Sequence, residues 1–264
     1  MEYPDITFEC RGPVATIAFN RPDRLNAFSP DLLTSALKAL NVVGKDPALR
    51  VVVLTGVGRA FCAGADVKRI HEERESGQPD SLGFEQVQMA QNLLLALHRF
   101  PKPVLGAING VAAGAGFELS LGCDMRIAAE SAFFKEAAMG VGLVPGDGSA
   151  WFLPRLIGLA RAFELFYLEE RIPAARALEM GLVNRVVPDD QFRDAVEDLA
   201  QTLASKPPIA IALTKQAIVN GLSYALPQTL LELRDSVVKT LSTADYVEGS
   251  DAIRARRAAA FEGR

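Results

Sequence analysis

"VLTGVGRAFCAGAD", residues 53–66, begins as a strand and ends as bare backbone. Val53 and Leu54 complete "RVVVLTG" (50–56), whose unbroken apolar run is that of a strand buried on both faces. Glycines and alanines follow, and the run stops on Asp66. A second segment, "INGVAAGAGFELSLGCD" (108–124), repeats the plan of strand, small residues and helix. The first turn of a helix leaves N–H groups without intrahelical partners and carries the positive end of its dipole. Small residues let a ligand approach that backbone. Two such turns facing each other would aim two donors at one oxygen, as a carbonyl turning into an oxyanion requires. Taken alone, "AFCAGAD" is equally a tight strand–helix turn with Asp66 as its cap.

On the N-terminal side, "ITFEC" and "VATIAFN" flank "RGP" and predict a hairpin. Ser29 is a natural N-cap and Pro30 suits a first turn. Leu32, Leu33, Ala36, Leu37 and Leu40 then recur at helical spacing. On the C-terminal side, "HEERESGQPDSLG" (71–83) reads as a mobile loop, followed by a helix from Phe84 to His98. "VLGAING" and "MRIAAE" are strands around a short helix. From Trp151 the pattern is nearly all helical, with Pro207–Pro208 and Pro227 at helix starts and Trp151 and the phenylalanines in the core. Strand–helix alternation over about 150 residues, then helices, predicts an α/β core of ββα units with a helical appendage.

With 264 residues, 49% of them hydrophobic and 23% charged, the chain suits one large domain with a sizeable core. A net charge of -4 argues against a nucleic-acid or membrane-surface partner. Cys10, Cys62 and Cys123 form no CxxC pair, which fits reduced thiols. The N-terminus lacks a basic segment leading into an apolar run, and no apolar stretch reaches the length of a membrane span, so a cytoplasmic location is expected. His71 and His98 have no companions at metal spacing, so no metal site is expected. Ser149 in "GDGSA" does not fit the G-x-S-x-G elbow. "GAGFEL" only begins like a dinucleotide fingerprint, with Leu119 where its third glycine would stand.

Glu118 shares a helix face with Ala115, and its neighbours three and four positions away are small or apolar. A carboxylate there costs free energy unless it is hydrogen-bonded or used. The alternative is a first-turn glutamate complementing the dipole of its own helix.

The chain resembles the crotonase, or enoyl-CoA hydratase/isomerase, superfamily. The resemblance is carried by "NRPDRLNAF" (20–28), "VVVLTGVGRAFCAGADV" (51–67), "PVLGAINGVAAGAGFELSLGCDMRIAA" (103–129), "GLVPGDGSAWFLPRLIG" (142–158), "ARALEMGLVNRVVP" (175–188) and the C-terminal "YVEGSDAIRARRAAAFEGR". It implies a spiral of ββα turns with the acyl-CoA site over 1–200 and a helical trimerisation region that also covers CoA over 201–264. The implied assembly is a trimer or a dimer of trimers. The implied substrate is an acyl-CoA thioester, with coenzyme A as part of the substrate and no separate cofactor. The implied oxyanion hole is the N–H groups of Ala65 and Ala115; the second position is usually glycine, and its methyl would narrow the pocket. The implied CoA contacts are Arg24, Leu25 and Ala27, then Ala63, Gly64, Asp66 and Val67. Arg257 and Phe261 are weaker candidates, since "RARR" also reads as a solvated face.

Glu118 matches the first of two glutamates usual in hydratases of this family. The second falls at Ala138, which has no proton to exchange. Asp147, just after the "GLVP" turn, is the candidate replacement, with an N-cap as its other reading. Glu136 would share a strand face with position 138, but a solvated carboxylate is the favoured reading there. The expected activity is hydration of a 2,3-enoyl-CoA through Glu118 and Asp147. Double-bond isomerisation and thioester hydrolysis are the alternatives, and a CoA-binding relative without activity is a further one.

Overall fold

The computed structural model describes residues 2–77 and 84–264, the side chains at 74 and 84 excepted. A six-stranded sheet runs in the order β1 (Ile6–Arg11), β2 (Val14–Phe19), β3 (Val51–Gly56), β5 (Val104–Ile108), β7 (Met125–Ala129), β10 (Arg185–Val187). Only the β1–β2 hairpin is antiparallel. A four-stranded sheet holds β4 (Ala60–Cys62), β6 (Val111–Ala113), β8 (Phe133–Lys135) and β9 (Ile172–Pro173). Each turn of the chain thus places one strand in the first sheet, the next in the second, and then a helix. The two-residue period of β3 sorts its side chains: Val52 and Leu54 enter the main core, while Val51 and Val53 pack with Leu105, Ile127 and Leu199 on the opposite face. That double burial explains the absence of polar alternation in "RVVVLTG".

Helix α1 (Pro30–Lys45) starts as its sequence requires, with the Ser29 hydroxyl accepting from Leu32 N at 3.0 Å. Helix α2 (Val67–Glu75) occupies the first part of the stretch expected as a loop. The Asp66 carboxylate caps it through Arg69 N, and Arg69–Glu73 and His71–Glu75 pairs follow at helical spacing. The rest of that expected loop, 78–83, lies outside the described residues. Then come α3 (Phe84–His98), α4 (Ala115–Leu121), α5 (Ser149–Ile157), α6 (Leu159–Leu168), α7 (Ala174–Glu179) and α8 (Phe192–Ala204). Helices α9 (Pro208–Gly221), α10 (Leu226–Leu241) and α11 (Ala244–Ala255) close the chain.

The region after Trp151 is less purely helical than expected, because β9 and β10 each find an edge to extend. Phe163 is half exposed rather than in the core, whereas Phe19, Phe28, Phe61, Phe117 and Phe134 are fully enclosed. The C-terminal tail returns to the body, where Arg50 donates to the carbonyls of Ala204 and Phe261. Among the described residues no helix is long and apolar enough to cross a membrane.

Candidate active site

The two bare-backbone turns meet. A Cβ built on Gly64, whose φ is +82°, would lie 2.8 Å from both Ala113 O and Ala115 N. One on Gly116 would lie 2.3 Å from Cys62 O. Only glycine permits this approach, since a side chain would force the turns apart. The consequence is that Ala65 and Ala115 follow directly on the two contacting segments. Both are partly accessible, and neither amide N–H has a hydrogen-bond partner among the described residues.

Residues 24–27 are laid against this pair. Ala63 N donates to Leu25 O and Phe28 N to Gly64 O, while the Cys62 thiol donates to Asn26 O. Arg24 pairs with Asp66 and Glu72, each at 3.6 Å, and Arg21 donates to Asp66 at 3.0 Å. The expected CoA-contact segments are therefore brought together. Within them the Asp66 side chain is committed to Arg21, Arg24 and its cap, Ala27 is buried, and Val67 is exposed. Asn26, which sequence reasoning passed over, fixes the arrangement. It is fully buried with a φ of +57°, accepts from Arg21 N, and donates to the carbonyls of Val57 and Ala60. The asparagine, a type enriched at positive φ, was the available signal. Arg257 is exposed and paired with Glu248, and Phe261 packs against Gly249.

Glu118 is buried at 2% exposure, and its Oε2 accepts from Asp147 N, Ser149 N and the Ser149 hydroxyl at 2.8–2.9 Å. Although Glu118 lies in the first turn of its own helix, its carboxylate is bonded at the N-terminus of α5 and receives the dipole and orphan donors there. Burial raises its pKa, and these donors oppose the rise. Asp147 does not cap α5; Gly148 holds that position with a φ of +104° and no side-chain bond. The Asp147 carboxyl is buried, its Oδ1 has no partner, and burial with the Glu118 charge pushes its pKa up to about 7.

Glu136 corrects the expectation of a solvated carboxylate. It follows β8, is only 2% exposed, and neither carboxyl oxygen has a hydrogen-bond partner. Burial, then the charges of Glu118 and Glu169, push its pKa up to about 8; the nearby Ser149 hydroxyl opposes this, although its own bond goes to Glu118. The strand ends at Lys135, so Glu136 and Ala138 do not share a strand face, and the carboxyl expected in solvent is buried instead. Ala138 lies at the start of a short 3-10 turn, Met139–Val141. The site thus holds three carboxyls, of which Glu118 alone has donors to stabilise a charge. A cavity of about 1000 Å³, lined by Leu94, His98, Gly148, Trp151, Phe152 and Lys215, reaches the residue after Asp147 but is lined by none of the three carboxyls. Desolvation first, and then the Lys215 charge, lowers the His98 pKa.

Residues 9–264 match the sequence model of the family described as enoyl-CoA hydratase/isomerase. The chain belongs to the enoyl-CoA hydratase/isomerase family. It is 39% identical to a 1,2-epoxyphenylacetyl-CoA isomerase of Escherichia coli (strain K12) over 95% of both chains. It is 33% identical to a crotonyl-CoA hydratase of Syntrophomonas wolfei over 99% of both. A crystal structure of an enoyl-CoA hydratase from Bacillus anthracis superimposes with a TM-score of 0.92 at 37% identity, covering 98% of this chain and 100% of that one. The ββα spiral is accordingly the crotonase fold, and the protein is an enzyme of the enoyl-CoA hydratase/isomerase type.

Proposed function

We propose that the protein is a hydratase of 2,3-enoyl-CoA thioesters. The observation that carries this reading is the division of labour among buried carboxyls: Glu118 has the hydrogen-bond donors a charged base needs, and Asp147 has the raised pKa of an acid that keeps its proton near neutrality. The N–H groups of Ala65 and Ala115 donate to the thioester oxygen as it gains charge. Each such donor contributes about 3 kcal/mol to the transition state. The Glu118 carboxylate takes a proton from water as its oxygen bonds to C3, and Asp147 gives a proton to C2. Coenzyme A enters and leaves as part of the substrate, along Arg24, Leu25, Ala27, Ala63, Gly64, Asp66 and Val67. No separate cofactor or metal enters the scheme.

Helix α10 supports a homotrimer or dimer of trimers: none of its residues is buried, and Leu226, Leu230, Leu231, Val237, Val238 and Leu241 are exposed. Double-bond isomerisation is the second reading, favoured by Ala138, which leaves the site without the second glutamate. One base can move a proton between two carbons. Hydration of crotonyl-CoA, followed by loss of enoyl-thioester absorbance, tests the choice. Activity that Glu118→Gln lowers by at least about a hundredfold supports a hydratase. Isomerisation of a 3-enoyl-CoA without hydration replaces it with the second reading. Tight CoA-ester binding without turnover overturns both.

A further inference from the structure

Ser120 and Ser149 are both fully enclosed, yet they use their hydroxyl protons differently. Ser120 in α4 donates to Phe117 O one turn back, the usual bond of a buried helical serine. Ser149 is the first residue of α5, so no carbonyl of its own helix precedes it. Its hydroxyl donates instead to Glu118 Oε2 at 2.8 Å. The N–H groups of Asp147 and Ser149 reach the same oxygen, each at 2.9 Å. Among the described residues no donor bonds Glu118 Oε1. An ionised carboxylate only accepts, so all three bonds favour a charged Glu118. The two N–H groups are backbone; the hydroxyl is the one donor that depends on a side chain. The groups facing Glu118 are acids, Asp147 from the segment before α5 and Glu136 from that after β8. Strands β4 and β6, which also pack on α4, carry no charge, and α3 carries only Glu85 and His98 near its ends. The only charged residue of α5 is Arg155, which donates to Trp151 O. Hydrogen bonds, and no counter-ion among the described residues, therefore hold the Glu118 charge.

We propose that the Ser149 hydroxyl holds Glu118 charged with Oε2 committed, leaving Oε1 as the oxygen that takes up a proton. The inference rests on Glu118 being the base. Glu118 and Asp147 are neighbours through the Asp147 N–H bond, and hydration needs the proton they share to sit on Asp147. A hydroxyl on Glu118 Oε2 biases that choice, because Asp147 Oδ1 has no donor. Without the hydroxyl the proton moves toward Glu118, and the working pair of charged Glu118 and neutral Asp147 becomes rarer as pH falls. At high pH both carboxyls are ionised in most molecules, and protonating Asp147 then no longer involves Ser149. The direction agrees with the Glu118 pKa, which burial raises and the Ser149 bonds lower. Ser149 acts through Glu118 and is a positioning residue.

The test is kcat/KM from about pH 5 to about pH 9 for wild type, Ser149→Ala and Ser149→Cys. The substrate is crotonyl-CoA, or a 3-enoyl-CoA if isomerisation is the activity found. Alanine keeps the backbone N–H and loses the hydroxyl, while cysteine fills similar space with a much weaker donor. The ratio of wild type to either variant is expected to reach about tenfold at the acid end, since a hydrogen bond to a charged group amounts to about one pH unit. At the alkaline end the ratio should approach unity. A lost packing contact would lower kcat/KM by the same factor at every pH. A ratio that does not change with pH, or a cysteine variant indistinguishable from wild type, overturns the role of Ser149 and leaves Glu118 as base. If Ser149→Ala does not fold, Ser149→Cys carries the same test. No turnover by the wild type, or Glu118→Gln as active as wild type, overturns Glu118 as base and this inference with it.

Discussion

Glu136→Gln makes a thermodynamic prediction that does not depend on turnover. An ordinary glutamate titrates near 4.5, and Glu136 is pushed up to about 8 by burial and by Glu118 and Glu169. Between those values the folded chain keeps the proton and the unfolded chain loses it, so stability falls as pH rises through that window. The penalty is absent below the unfolded value and complete once pH passes the folded one. At pH 7 it amounts to about 3 kcal/mol, and at pH 5 to less than about 1 kcal/mol, at 1.36 kcal/mol per unit. Glutamine escapes it at every pH. Its amide brings two donors into the same unpaired pocket, which offsets about 1–2 kcal/mol, but that cost is the same at both pH values. The gap between variant and wild type should therefore widen in the variant's favour by about 2–3 kcal/mol from pH 5 to pH 7. Urea unfolding at the two pH values, at one protomer concentration, measures it. A gap that stays constant would show that Glu136 is ionised in the folded protein, and the reasoning about its burial would be wrong.

Asp147→Asn should lower hydration by about a hundredfold and remove the fall in kcat that accompanies Asp147 ionisation near pH 7; full activity with that limb intact would remove Asp147 from the reaction. Gly64→Ala places a methyl 2.8 Å from Ala113 O and Ala115 N at a positive φ, and should cost roughly 2–4 kcal/mol by denaturant titration. Its kcat/KM should fall by more than about a hundredfold because the two amides are pushed apart. Asn26→Ala breaks the bonds to Arg21 N, Val57 O and Ala60 O and should cost about 2–3 kcal/mol. Its effect on activity should appear chiefly as a raised KM for acyl-CoA, with Asn26→Gly recovering only the backbone part.

The local plan was legible because each signal acts within a few residues. Ser29 and Pro30 start α1, β3 shows its double burial as an unbroken apolar run, and glycines mark the turns before α2 and α4. Position 138 could be seen to lack a carboxyl by counting. What those segments do to one another depends on contacts far apart in the chain. Asn26 joins residues more than thirty positions away, and Glu118 finds its donors at 147 and 149, just before and at the start of another helix. The stretch from 71 looked like a loop because its charges pair within a helix too polar to display an apolar face.

Sequence alone therefore determined where strands stop, where backbone is left bare, and which acids stand near the turns. Only the tertiary structure decided which acid is supplied with hydrogen-bond donors. Burial depends on what packs over a side chain, and hydrogen-bond supply depends on which helix end faces it. Glu118 received three donors, while Glu136 and Asp147 were enclosed with unpartnered oxygens.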